Sequence, residues 1–289
     1  MEKEKFSKDT LLIMLKGFII GSSMSVPGVS GGTMAILLGI YDRLISSVSR
    51  FLKDIKGNII FLMKVCIGAG IGIFTLSNVI KKLLEVAPIP ISFFFLGAVI
   101  GGVPALYSKT KTMDSKLKFS SIIYFLLGLA IVISIGFIPT GTISVTSGSG
   151  LLHYLMLFVT GIIIALALVL PGISTSHMLL VLGMYDSMLE AISTFDLVYI
   201  GILGILTVIG IFLITRPIEW TMNKFPRQTY CVVIGFVIGS TWEIFNDKIF
   251  PAIPAGANFS WWVITTIVSI ITFVLGFTGI MALSKFSND

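Results

Sequence analysis

Apolar residues run through this chain in long blocks, broken by short polar, charged or proline-bearing stretches. Six blocks, at about 58–80, 91–108, 119–138, 198–215, 229–246 and 261–283, are long enough, or nearly so, for a helix to cross a bilayer. Crossing takes roughly 20 helical residues, with a range of about 17–25. Two further apolar stretches, 11–41 and 151–185, are broken near their middles by Pro27-Gly28 and Pro171-Gly172. The arm after each break is short for a full span, at about 13 residues, and suits a hairpin that turns back inside the membrane.

The two broken stretches are copies of one another. Residues 17–51 align with 161–195 without a gap, and 13 of the 35 positions are identical. The identities include Pro27/Pro171, Gly28/Gly172, Ser30/Ser174, Met34/Met178, Gly39/Gly183, Tyr41/Tyr185 and Asp42/Asp186. Shared hydrophobicity does not place Pro, Gly, Tyr and Asp in register. Weaker matches continue along the chain, such as Gly97 and Gly101 with Gly235 and Gly239, so the repeats run over about 10–145 and 150–285. These glycine pairs have the spacing of close helix packing.

Each hairpin leaves on the face it entered, and three spans follow it. Each copy therefore crosses the membrane an odd number of times, and tandem copies have opposite topology. The predicted fold is an all-α polytopic membrane protein, an inverted-topology repeat forming one membrane domain over 1–289.

Charge fits this plan. With the N-terminus inside, fifteen Lys and Arg fall in inner segments, among them Arg43, Arg50, Lys109, Arg216, Lys224 and Arg227. Only Lys81, Lys82 and Lys248 fall in outer ones, as the positive-inside rule requires. The expected location is a plasma membrane, with a cytoplasmic N-terminus. Composition agrees: 55% of residues are hydrophobic and 12% charged, against about 25% charged in a soluble domain. Cys66 and Cys231 are expected as free core thiols. No small-residue cleavage site follows the first apolar run, so no cleaved signal peptide is expected.

The candidate chemistry lies at the hairpin tips. Proline breaks the first arm and glycine permits a tight turn, so the second arm starts as a fresh helix. Its first four N–H groups lack intrahelical partners. Ser30 and Thr33 in one copy, and Ser174, Thr175 and Ser176 in the other, can cap some of them. An anion is the other natural partner at a helix start. The candidate substrate site is Pro27, Gly28, Ser30, Gly31, Gly32 and Thr33 with Pro171, Gly172, Ser174, Thr175, Ser176 and His177. Read conservatively, the same residues are a kink and packing hydroxyls, and His177 a neutral donor to a carbonyl. Tyr41-Asp42 and Tyr185-Asp186 close the second arms as anchors at the two surfaces. Arg43 and Arg50 lie near the inner face, where basic residues are expected in any case. Glu243 is placed near the outer interface. No metal spacing and no paired catalytic carboxylates are present.

PGVSGGTMAILLGIYD at 27–42 and LPGISTSHMLLVLGMYD at 170–186 resemble the bacterial polyprenyl-phosphate transporters of the PopT type. The resemblance covers the whole length. It implies return of undecaprenyl phosphate from the outer to the inner leaflet, for reuse in cell-wall synthesis. A more distant similarity runs to the BacA-type undecaprenyl-pyrophosphate phosphatases, which carry a Glu cluster and an Arg after the motif serine. Here Gly31-Gly32 follow Ser30, Thr175-Ser176 follow Ser174, and neither hairpin, 11–41 or 151–185, contains a Glu before its tip. A transporter rather than an enzyme is therefore expected, with a phosphatase and a small-anion transporter as alternatives. The expected partner is a polyprenyl-phosphate lipid in the bilayer, with no nucleic acid. No cofactor is expected, and proton or sodium coupling is compatible with this reading.

Overall fold

A computed structural model describes residues 2–24, 29–110, 119–139 and 151–286. Among these residues the chain is helical, with no strand. The first half holds α1 (Glu2–Ser23), α2 (Gly31–Leu37), α3 (Tyr41–Ser49), α4 (Ile55–Val86), α5 (Pro88–Thr110) and α6 (Phe119–Gly136). The second half holds α7 (Leu151–Val169), α8 (Thr175–Val181), α9 (Tyr185–Ser193), α10 (Leu197–Lys224), α11 (Pro226–Ile244) and α12 (Phe259–Phe286). Six of these, α4, α5, α6, α10, α12 and α11 with its extension to Ala252, are long and apolar enough to cross a membrane. They are the six spans expected from the sequence.

α5 and α11 are the most buried of the six and form the centre. They run antiparallel. Phe93, near the start of α5, packs edge-on against Phe245 at the end of α11. Lys109, near the end of α5, lies over the ring of Tyr230 near the start of α11. Around this pair, α1 packs on α4, α7 on α10, α12 on α5 and α6 on α11. The last two pairings cross between the halves.

Small residues make these contacts close. A Cβ on Gly97 would overlap the Phe273 carbonyl oxygen of α12, and one on Gly276 that of Phe94. Gly128 and Gly235 meet the backbones of α11 and α6 in the same way. Van der Waals packing of close backbones drives helix association where lipid leaves no hydrophobic force between helices. The outward faces of α6 and α12 carry exposed Ile122, Ile123, Leu126, Ile267, Ile271 and Leu275. Such a surface is stable only with hydrocarbon as its solvent.

The second arms differ from the expectation in one respect. Neither is a single helix of some thirteen residues. α2 and α8 have 7 residues each and stop at Gly39 and Gly183, which adopt φ of 70° and 65°. The N–H groups of Gly39 and Ile40 reach back to Ile36 and Ala35, and those of Gly183 and Met184 to Leu180 and Leu179. This is a left-handed glycine stop. At about 1.5 Å per residue, each short helix is only about 10 Å long. Tyr41-Asp42 and Tyr185-Asp186 therefore do not end the arms; they open α3 and α9. Cys231 is buried, but Cys66 is exposed on α4, so only one of the two thiols belongs to the core.

Candidate functional site

The two tips touch. Pro27 and Gly28 lie outside the described residues, and the rest of the first tip is buried around Ser30 and Thr33, which are 7% and 0% exposed. The Ser30 hydroxyl caps α2 by accepting the Thr33 N–H at 3.1 Å. The Gly172 N–H of the other tip is directed at the same place. It donates to Ser30 Oγ at 3.1 Å and to Thr33 Oγ1 at 2.9 Å. Gly32 is packed so tightly that an added Cβ would lie 3.3–3.4 Å from the carbonyl oxygens of Leu168 and Leu170 and the Pro171 Cα. The Tyr41 hydroxyl fixes the junction from below by donating to the Val169 carbonyl at 2.8 Å. The candidate residues of the two halves, 139 and 142 positions apart in the chain, thus form one cluster.

Gly172 is glycine for two reasons. Its φ is +78°, a left-handed conformation that costs other residues about 1–2 kcal/mol. A Cβ there would also overlap the Phe236 carbonyl oxygen of α11.

The second tip repeats the cap but not the burial. Ser174 Oγ accepts the His177 N–H at 3.3 Å. Ser174, Thr175 and His177 are half-buried and Ser176 is exposed. The His177 ring Nε2 lies 3.2 Å from the Ile135 carbonyl, where a ring N–H donates. A cavity of about 10 Å³ separates this tip from α6 and α11, lined by Gly172, Ser174, His177, Trp242 and Glu243 among others. One ligand-type atom each from His177, Glu243 and Asp247 lies within 4.8 Å of the others.

Glu243 is therefore not an isolated interfacial carboxylate. It is delivered to the tip by α11, some seventy positions downstream of Ser174. No spacing in the sequence signals this; only the packing of α11 against the tip does. Among the described residues the first tip has no counterpart of this cluster.

Tyr41 and Asp42 open α3, and Tyr41 is buried between the halves rather than at the surface expected for it. Asp42 Oδ2 accepts the Tyr230 hydroxyl at 3.0 Å and pairs with Lys109. Arg43 is stacked 4.2 Å over the Phe61 ring, and Arg50 is paired with Glu219 at 2.6 Å.

Two apolar cavities flank the joined tips. One, of about 480 Å³, is lined by Phe18, Ser22, Met34, Leu76, Phe95 and Ile280 among others. The other, of about 460 Å³, includes Tyr41, Tyr124, Leu170, Ile218, Met222 and Phe236. Each therefore reaches from lipid-facing helices to a tip or to the Tyr41 junction.

Known proteins share this sequence over most of its length. A polyprenyl-phosphate transporter of Staphylococcus aureus (strain NCTC 8325 / PS 47) is 35% identical over 280 residues, which is 92% of this chain and 94% of the relative. A polyprenyl-phosphate transporter of Vibrio cholerae serotype O1 (strain ATCC 39315 / El Tor Inaba N16961) is 31% identical over 248 residues, 81% of this chain and 77% of the relative. No solved structure matches the chain. A family model described as VCA0040-like, undecaprenyl phosphate translocase-like, matches residues 20–257, both tips included, and the chain belongs to that family.

Proposed function

We propose that this protein is an inverted repeat, over about 10–145 and 150–285, that carries a polyprenyl phosphate from the outer to the inner leaflet of a bacterial plasma membrane. The observation that carries the reading is the contact of the two tips between two lateral apolar cavities. The antiparallel course of α5 and α11, equivalent helices of the two halves, supports the inversion. The names of the relatives supply the cargo class.

In this mechanism the substrate site is made of Pro27, Gly28, Ser30, Gly31, Gly32 and Thr33 together with Pro171, Gly172, Ser174, Thr175, Ser176 and His177. The tips in contact are the closed arrangement. Phosphate oxygens replace the Ser30 and Thr33 hydroxyls on the Gly172 N–H as the tips part, and the isoprenoid chain stays in a lateral cavity. Charge-assisted bonds of N–H and O–H groups to an anion are roughly twice as strong as neutral ones, so the exchange favours opening. The cycle is coupled to protons or to sodium, and the cluster of His177, Glu243 and Asp247 beside the second tip is the place for that coupling. The site takes no metal or cofactor in this cycle.

The test is leaflet-resolved movement of labelled polyprenyl phosphate in liposomes holding the purified protein, with imposed pH and sodium gradients. The expected result is movement between leaflets at a rate that an imposed pH or sodium gradient changes. Absence of movement overturns the reading, and a rate blind to both gradients overturns the coupling alone. One observation favours a second reading: Glu243 provides beside Ser174 a carboxylate that the tip sequence lacks. Release of phosphate from polyprenyl pyrophosphate would establish that phosphatase reading.

A further inference from the structure

One basic cavity lies apart from the tips, where the end of α10 meets the end of α3. Its volume is about 420 Å³, and Arg50, Arg216, Glu219, Trp220, Asn223 and Lys224 line it. A neighbouring cavity of about 350 Å³ shares Arg50 and Arg216 and adds Lys53. Residues 216, 219, 220, 223 and 224 recur at helical spacing, so one face of α10 builds the wall.

The charges are unequally committed. Glu219 is taken by Arg50 Nε at 2.6 Å and by the Ser49 hydroxyl. Lys224 lies 4.9 Å over the Trp220 ring, a contact that leaves its ammonium free to donate. Arg216 is exposed and forms no ion pair among the described residues. Three cations against one carboxylate leave an excess of two positive charges in the larger cavity. A phosphate monoester carries about −1.5 to −2 near pH 7, and guanidinium groups bind its oxygens in pairs.

The rim is apolar. Leu52 and Phe212 in the neighbouring cavity and Trp220 in the larger one are exposed beside the cations, which suits a phosphate carried on a hydrocarbon chain rather than one free in water. In the repeat registers, Thr194 stands for Arg50, Asn78 for Arg216, Lys81 for Glu219, Lys82 for Trp220, Glu85 for Asn223 and Val86 for Lys224, so the equivalent positions hold two lysines but neither guanidinium.

We propose that this cavity is a second phosphate site, which holds the headgroup of the isoprenoid lipid at the face where α3 and α10 end. The proposal rests on the transport reading above and gives it a docking place at this face. Bidentate Arg216 and the Lys224 ammonium hold the phosphate. Arg50 is pre-set by Glu219, and Trp220 packs beside the first carbons of the chain.

The experiment uses the full chain in phosphatidylcholine nanodiscs, titrated with polyprenyl phosphate. Emission from Trp220, taken as the difference from a Trp220→Phe protein, reports on the cavity, and native mass spectrometry counts bound lipid. Arg216→Gln is expected to weaken the Trp220 response about tenfold or more, as for loss of a charge-assisted pair. Lys224→Gln is expected to weaken it less. Because Arg216 is exposed and unpaired, the Gln variant keeps its fold, checked by its elution profile and melting temperature. The tip double variant Ser30→Ala/Thr33→Val is expected to lose transport but keep the Trp220 response.

An unchanged affinity in Arg216→Gln overturns the site. Equal competition by inorganic phosphate shows a free-anion site and overturns the lipid assignment, as does an equal response to phosphatidylglycerol. If the wild type binds at Trp220 but moves no lipid, the transport reading fails and the cavity stands as a lipid-phosphate site. If it moves lipid with no Trp220 response, the cavity proposal fails alone.

Discussion

Ser30→Ala combined with Thr33→Val is expected to cut transport far more than the two single substitutions together account for. The reason is a shared acceptor. The Gly172 N–H has two oxygens to donate to, and Ser30 Oγ and Thr33 Oγ1 are themselves 3.1 Å apart. Removing one oxygen leaves the other in place and costs about 0.5–1.5 kcal/mol, with the lost cap adding about 1 kcal/mol for Ser30→Ala. Removing both strands a buried N–H, which costs about 1–3 kcal/mol and more where no water reaches it. A double-mutant cycle on unfolding in mixed micelles should therefore show a coupling of about 1–3 kcal/mol beyond the sum of the singles. If that coupling falls on the step in which the tips re-form, it lowers the rate about 5- to 150-fold beyond the product of the single losses. Strict additivity, in stability and in rate, would mean that the tips are not held by this bond.

Gly172→Ala is the second large effect. The left-handed backbone contributes about 1–2 kcal/mol and the overlap with the Phe236 carbonyl a further 1–3 kcal/mol, because a helix backbone cannot rotate aside as a side chain can. At roughly 2–4 °C per kcal/mol, the melting temperature is expected to fall by about 10 °C. Gly201→Ala is the contrast. That glycine lies within α10 with open space where its Cβ would be, so alanine is expected to be neutral or to stabilise by up to about 1 kcal/mol. Equal shifts for the two would show that the backbone at the second tip gives way.

What could be read from the sequence was what repeats. The spans followed from block length, and the glycine seams from Gly97, Gly101 and Gly235. The caps at Ser30 and Ser174 followed from a hydroxyl placed at a helix start. What could not be read was anything that depends on how the elements meet. Gly39 and Gly183 were visible as matched residues. Nothing local, however, separates a glycine that merely packs from one that turns left-handed and ends a helix. That difference split each expected arm in two and moved Tyr41 from a surface into the junction. Glu243 and Asp247 lie on a helix whose sequence gives no sign that it leans on the second tip. The bond from Gly172 to Ser30 and Thr33 joins residues that a pattern reading can only treat as equivalent, not as partners.

The crossed pairing of α5 with α12 and of α6 with α11 bears on how the chain is assembled. The glycine face of α5 is made early, yet Phe273 and Phe277, which cover it, leave the ribosome about 175 residues later. Until then α5 must sit in lipid or against provisional neighbours. Each half therefore completes its packing with helices of the other, and the seam on α5 closes only when α12 inserts.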